Sequence, residues 1–267
     1  MTILNIAVAG SSGRMGRALL SAIMKDPGSH LQAALEMDGS PYIGKDVSEL
    51  TGDLGSVVIT DNFSAVLPGC DVLIDFTQPE GTIKHLSVCR AEGIKMVIGT
   101  TGFSAEQKEV LKEASKDIAL VVAPNMSVGV NVTFKLLDIA AKVLGEGYDI
   151  EIVEAHHNQK VDAPSGTALM LGQAAADGRG VNLADASNSG RDGITGARRK
   201  GDIGFSAIRG GDIVGEHDVL FATAGERITL RHVASDRAVF ARGALKAALW
   251  GQNKAAGAYD MLDVLGL

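Results

Sequence analysis

The amino-acid sequence predicts an α/β protein: a doubly wound parallel sheet with helices on both faces, plus a second, α+β domain with a mixed or antiparallel sheet. Three observations predict it. Short apolar runs alternate with amphipathic stretches through the first half, the order of a parallel sheet crossed by helices. A glycine-patterned turn joins the first strand to the first helix. In the last third, three alternating runs follow one another as strands joined by turns do.

The elements follow in order. Strands are expected at "ILNIAVAG" (3–10), "LQAALEM" (31–37), "DVLIDFT" (71–77), "KMVIGTT" (95–101) and "IALVVAPN" (118–125). They are nearly continuous apolar runs, which suits strands buried on both faces. "PEGTIKHLSVCRAEG" and "SAEQKEVLKEASKD" supply amphipathic helices between them. Apolar residues then recur at helical spacing and predict a long helix over 128–144. A strand, "DIEIVEAHH", precedes a helix that starts near Gly166, with Ser165 as its N-cap. Residues 178–202, rich in Gly, Asn, Asp, Ser and Arg, read as one long surface loop. "IGFSAIRGG", "DIVGEHDVLFATAG" and "ERITLRHVAS" read as strands, and "DRAVFARGALKAALW" as a last helix. The expected domains are 1–126 with 237–267, and 127–236.

Composition narrows the function. With 267 residues and 46% hydrophobic content, the chain can build one large core or two smaller ones. Aromatic residues are only 4%, which argues against a base-stacking surface and hence against nucleic acid. A net charge of -7 gives no global attraction to nucleic acid or an anionic membrane, so an anionic substrate needs a local basic site. No apolar run approaches the roughly 20 residues of a membrane span. "MTILNIAVAGSSG" lacks a cationic segment and is not expected to be a signal peptide. Cys70 and Cys89 form no metal or redox pattern and are expected to be reduced thiols of a cytoplasmic protein.

"VAGSSGRMGRALL" carries Gly10, Gly13 and Gly16 between strand and helix. Small residues there let a pyrophosphate approach the N–H groups of a helix start, although three glycines alone also suit a plain turn. Glu36 closes the second strand 20 residues after Gly16, where an acid meets adenosine ribose hydroxyls, and together these predict dinucleotide binding. Met37 and Asp38 follow; neither can pair with a 2′-phosphate. The pattern therefore favours NADH, with NADPH possible.

"HHNQKVDAPSGTA" (156–168) places two histidines just before a lysine and a helix start. Alternation along "EIVEA" sends His156 and His157 to opposite faces, and at most one of them points the way Glu154 does. Taken alone, the pair also suits a surface loop. No H-x-E or H-E-x-x-H pattern accompanies it, so no metal is expected. Lys160 can bind a carboxylate or donate a proton. Gly166 and Thr167 offer bare N–H groups and a hydroxyl at the helix start, which suits a second carboxylate. The combination fits a small molecule with carboxylates that needs a proton delivered, and a hydride from a nicotinamide would complete a reduction.

In these residues and motifs the chain resembles the dihydrodipicolinate reductase family along its whole length. "VAGSSGRMG", "IDFTQPEGT", "VIGTTGF", "NMSVGVN", "EIVEAHHNQKVDAPSGTA" and "GDIVGEH" carry the resemblance. It implies a Rossmann-like domain, a homotetramer built through the sheet of the second domain, and an enzyme of lysine and diaminopimelate biosynthesis. It implies His156 as acid/base residue, His157 as substrate contact, and Lys160 as proton donor and carboxylate contact. Gly166 and Thr167 hold a carboxylate. Gly10, Ser11, Ser12, Gly13, Arg14, Met15 and Glu36 contact the cofactor. Gly99, Thr100, Thr101 and the turn Ala123, Pro124, Asn125, Met126 lie near the nicotinamide. The implied substrate is a cyclic imine dicarboxylate. After loss of its hydroxyl, hydride adds to ring carbon 4 and the enamine takes a proton from His156 or Lys160. Met37 departs from the basic residue many members carry there. Another two-domain reductase, or a nicotinamide-sensing protein that keeps the fold and not the chemistry, would show a different proton-transfer stretch. His217 reads as a structural hydrogen-bonder between strands, and "ARRKG" (197–201) as a solvated loop or an oligomer contact.

Overall fold

The computed structural model describes residues 3–52 and 55–267; residues 1 and 2, where the leader reading begins, lie outside the described residues. The chain runs β1 (Leu4–Ala9), α1 (Arg14–Lys25), β2 (Ser29–Leu35), α2 (Ser48–Thr51), β3 (Ile59–Thr60), α3 (Phe63–Val66), β4 (Val72–Asp75), α4 (Pro79–Glu92), β5 (Lys95–Ile98), α5 (Ala105–Ala114) and β6 (Ala119–Val122). It continues α6 (Val128–Leu144), β7 (Asp149–His156), α7 (Gly166–Arg179), α8 (Leu183–Ala186), β8 (Ser187–Ser189), β9 (Ile203–Arg209), β10 (Gly215–Thr223) and β11 (Glu226–Ala234). It closes with α9 (Ala238–Gly251), β12 (Gly257–Tyr259) and α10 (Met261–Leu265). Two compact units result: residues up to Val128 with Arg237–Leu267, and Gly129–Asp236.

The first unit is a seven-stranded sheet in the order β12-β6-β5-β4-β1-β2-β3. Every pairing is parallel. Alternation along β1 splits its apolar residues between two cores. Leu4, Ile6 and Val8 pack with Leu19 and Leu20 of α1 and Ala244 and Leu245 of α9. Ala7 and Ala9 pack with Leu86 of α4 and Leu111 of α5 on the other face. That accounts for the lack of polar alternation in the sequence. Strand order reverses between β1 and β4, the arrangement that opens a crevice at the carboxyl ends of the strands. The strands end one to three residues before the apolar runs do, because residues such as Gly10, Thr77 and Gly99–Thr101 form the loops beyond that edge.

The second unit carries a mixed sheet, β11-β10-β7-β9-β8. β10 pairs antiparallel with β11 and β7, while β9 pairs parallel with β7 and β8. One core gathers Leu137 and Ala141 of α6, Leu171 and Ala175 of α7, and Ile150, Ile152, Phe205, Val219 and Phe221 of the sheet. Residues 178–202 are not the single loop expected from composition. They include the end of α7, the short α8 and the strand β8. The polar "SNS" of β8 has no apolar signature; its backbone pairing with β9 makes it a strand. "ARRKG" is not simply solvated either. Arg198 is mostly buried and pairs with Asp149 at 2.8 Å and Glu151 at 2.7 Å, pinning the segment to β7. Lys200 remains exposed.

Candidate active site

The glycine turn and Glu36 meet at the carboxyl edge of the parallel sheet. Gly10 has φ +68°, open to glycine at little cost. A Cβ on Gly16 would lie 2.1 Å from the Gly10 carbonyl oxygen, so only glycine lets α1 start this close to the turn. Gly13 is the N-cap of α1 and provides no side-chain cap. The first N–H groups of α1, at Arg14 and Met15, have no intrahelical acceptor, which favours an anion there. The buried Glu36 carboxylate accepts the Ser12 N–H at 2.7 Å and the Met37 N–H at 3.3 Å. The acid thus fixes the turn. Ser11 is buried, its N–H bonded to the Leu35 carbonyl at 3.1 Å. Met37 is 74% exposed. Of the nearby cations, Arg17 donates to the Ser12 carbonyl at 2.9 Å and Lys45 stands 5.2 Å over the Tyr42 ring.

Gly99, Thr100 and Thr101 leave β5 at the same edge, and Ala123, Pro124, Asn125 and Met126 leave β6 there. A Cβ on Gly99 would strike the Phe76 ring at 2.2 Å. Thr100 is buried and accepts from the Thr82 hydroxyl at 2.9 Å. Behind it lies a carboxylate that sequence reasoning missed. Asp75 is fully buried and accepts from His85 Nδ1 at 2.7 Å and from the N–H and hydroxyl of Thr77 at 2.8 and 2.7 Å. Burial would raise its pKa, but the His85 hydrogen bond and charge, with the Thr77 bonds, hold it below the usual carboxylate range. The Asn125 side chain accepts the Ser127 N–H at 2.9 Å, shaping the second loop.

In the other unit, the 156–168 stretch leaves the end of β7. His156 shares a face with Glu154, as period-two alternation requires, and His157 lies beyond the strand. His156 Nδ1 donates to Glu154 Oε2 at 2.6 Å. Burial lowers the His156 pKa; Glu154 opposes the shift, and the Lys160 and Arg209 charges add to it. Lys160 Nζ is 2.7 Å from Asp162 Oδ1, an exposed partner the sequence did not single out. Ser165 caps α7, its hydroxyl accepting the Ala168 N–H at 3.1 Å and lying 3.1 Å from His217 Nε2. His217 therefore joins a strand to a helix start rather than strand to strand. Burial pushes its pKa down to about 4, so the ring is neutral at neutral pH. A Cβ on Gly166 would meet nothing within 4 Å, so there is open space at the first residue of α7. Among the described residues no group of three or more His, Cys, Asp or Glu is placed to hold a metal ion.

Glu154, Arg209 and Gly215 were also missed. A signal for the first existed: along β7 the buried positions are Ile150, Ile152 and Glu154, and a charge in an apolar stripe demands a partner. Arg209 is 55 residues away in sequence and comes to Glu154 only through the β7–β9 pairing.

Comparison with known proteins identifies the family. A family model described as "Dihydrodipicolinate reductase, N-terminus" matches residues 4–126, and one described as "Dihydrodipicolinate reductase, C-terminus" matches 129–265. The chain belongs to the dihydrodipicolinate reductase family. Membership makes it an NAD(P)H-dependent oxidoreductase. It is 60% identical to the 4-hydroxy-tetrahydrodipicolinate reductase of Nitrosospira multiformis over 100% of this chain and 99% of the relative. It is 57% identical to that of Nitrosomonas eutropha over the whole of both chains. Among solved structures, a dipicolinate-bound dihydrodipicolinate reductase from Paenisporosarcina sp. TG-14 superposes with a TM-score of 0.77 at 26% identity, covering 98% of this chain and 99% of that one. An aspartate semialdehyde dehydrogenase from Candida albicans, at 14% identity and TM-score 0.52, shares the fold alone. Cys70 and Cys89 are free and buried, and burial pushes their thiols up to about 11 and about 12. No helix of the described residues is long and apolar enough to cross a membrane.

Proposed function

We propose that this member of the dihydrodipicolinate reductase family reduces 4-hydroxy-2,3,4,5-tetrahydrodipicolinate to 2,3,4,5-tetrahydrodipicolinate and water, in lysine and diaminopimelate biosynthesis. The carrying observation is the assembly at the end of β7: His156 bonded to a buried carboxylate, Lys160 on the following turn, and the open, Ser165-capped start of α7. A dicarboxylate needs two cationic or N–H-lined seats, because desolvating an unpaired carboxylate is costly. Lys160 supplies one; Gly166 and Thr167 at the helix start supply the other. His157 is a further substrate contact.

The unit that contains β1–β6 is the dinucleotide-binding domain and Gly129–Asp236 the substrate-binding and oligomerisation domain. Gly10, Ser11, Ser12, Gly13, Arg14 and Met15 hold the pyrophosphate. Glu36 meets the ribose and Gly99–Thr101 with Ala123–Met126 flank the nicotinamide. Bound there, the nicotinamide supplies the hydride. The chain's own residues orient the ring, exclude water and, from His156 or Lys160, deliver a proton to the enamine carbon. NADH is the favoured cofactor, since Met37 offers a 2′-phosphate no cation and Arg17 is committed to the glycine turn. The active species is a cytoplasmic homotetramer.

The test follows absorbance at the nicotinamide band, with substrate made in situ by the preceding synthase. Substrate-dependent NADH oxidation is expected. His156→Gln should lower kcat at least about 10²-fold, the scale of a positioned general acid, with NADH binding little changed. Absence of substrate-dependent oxidation by wild type overturns the reading.

A further inference from the structure

We propose that Glu154 is a positioning residue for His156: its carboxylate selects the Nδ1–H tautomer of the imidazole and leaves Nε2 as the working nitrogen. The inference rests on the proposed role of His156 in proton transfer and adds a residue to it.

Glu154 is only 1% exposed, at a position where isoleucine would complete the apolar stripe of Ile150 and Ile152. A carboxylate buried there needs compensation. Arg209 provides it, donating from both terminal nitrogens, to Oε2 and to Oε1, at 2.7 Å each. Burial would raise the Glu154 pKa; the bonds from Arg209, His156 and the Ser165 N–H hold it low, so it is an anion. An anion only accepts, so the 2.6 Å bond to His156 must be Nδ1–H to Oε2. The remaining oxygen capacity accepts the Ser165 N–H at 3.0 Å, at the start of α7. One carboxylate therefore fixes the tautomer of the imidazole, the end of β9 and the start of the helix that offers its N-terminus to a substrate carboxylate.

The far side of the ring supports this. Nε2 makes no hydrogen bond among the described residues. It faces Gly215 of β10, where a Cβ would come within 3.2 Å. The ring is thus held on one nitrogen and left bare on the other. The charged and titratable groups around it are Glu154 on its own strand, Lys160 on the following turn, Arg209 on β9, and His217 on β10, whose ring centroid is 5.1 Å away. Glu154 is the anion among them that bonds the ring, so removing its charge lowers the basicity of His156 and frees its orientation.

Glu154→Gln tests this, because it keeps size and one acceptor oxygen and replaces the other with a donor. Facing Nδ1, the amide N–H₂ forces the Nε2–H tautomer. Ring nitrogen NMR of labelled histidine should read Nδ1–H in wild type and Nε2–H in the variant. Kinetically, kcat should fall about 10²-fold, the alkaline limb of the pH–rate profile should move to lower pH, and the NADH KM should stay within about twofold. The double variant E154Q/H156Q should be no slower than H156Q alone, because Glu154 acts through His156. Glu154→Asp keeps the charge with shorter reach and should restore the tautomer with intermediate kcat; it also stands in if the glutamine variant fails to fold. Persistence of Nδ1–H in E154Q, or independent losses in the double variant, overturns the proposal. If H156Q keeps wild-type kcat, the proton-transfer reading of His156 fails instead, and the NMR result still decides whether Glu154 positions the ring.

Discussion

Side chains that act on the ground state and on the transition state are separable by kinetics. In the proposed reaction Thr167 and Gly166 seat a carboxylate that is present before and after reduction, so Thr167→Ala should raise KM more than it lowers kcat. Lys160 is proposed to serve charge and proton together, so Lys160→Ala should damage both parameters; a change confined to KM would remove it from the proton step. The 2.7 Å bond to Asp162 adds a consequence. Asp162 is held below its usual pKa chiefly by the Lys160 hydrogen bond, so it stays ionised, and a substrate carboxylate at Lys160 as proposed would have to share the ammonium group with it. For the proposed cofactor preference the residue to test is Met37. A guanidinium at that exposed position can pair a 2′-phosphate, and a charged hydrogen bond contributes about 1.5–3 kcal/mol. Met37→Arg should therefore raise kcat/KM for NADPH roughly 10- to 150-fold, with NADH little altered. A wild type that already prefers NADPH tenfold would mean that Arg14 or Lys45 reaches the phosphate.

At the scale of elements, α9 shapes the loop after β6 without touching it through a functional side chain. A Cβ on Gly243 would come 1.7 Å from the Met126 carbonyl oxygen, a backbone atom that cannot swing away. Gly243→Ala should cost about 1–3 kcal/mol and lower Tm by roughly 2–12 °C, and the NADH KM should rise as the 123–126 turn shifts. Gly251→Ala in the same helix is the control, since a Cβ there meets nothing within 4 Å and should be neutral or mildly stabilising. Equal Tm values for the two variants would sink the packing argument. Elements of this kind also mark what was legible. α6 runs Val128–Leu144 as its apolar spacing predicts, and Ser165 caps α7 as its type predicts. β3, β8 and β12 were not read, because strands of two or three residues are too short for a period. The glycine turn and 156–168 were readable because local backbone chemistry dictates them. Asp75–His85 and Glu154–Arg209 were not, because each joins partners through tertiary contacts that spacing alone does not reveal.

The whole molecule concentrates its acid sensitivity in a few buried groups. In the second unit His217 is pushed down to about 4 by burial, with the nearby His156 adding to the shift. Its pKa in an unfolded chain is about 6.5. A depressed pKa means the unfolded state binds the proton first. Stability is thus fully present above about 6.5 and falls as pH drops toward 4, below which the difference is constant. By pH 4.5 the loss from this ring is roughly 2–3 kcal/mol. Asp75 in the first unit works in the same sense at lower pH: its ionised form is stabilised by His85 and Thr77, and that contribution disappears as pH falls through its depressed pKa. Urea unfolding followed by circular dichroism at pH 7.5 and pH 4.5 separates the two groups. Wild type should lose stability between these pH values, and His217→Gln, which has no proton to gain, should lose roughly 2–3 kcal/mol less. The variant starts lower at pH 7.5 because its contact with Ser165 is altered, so the comparison is between the two pH differences and not the absolute values. The same loss in both proteins would show that His217 is protonated at no cost in the folded state, and would place the loss with His156 and His232, whose pKa values burial also lowers.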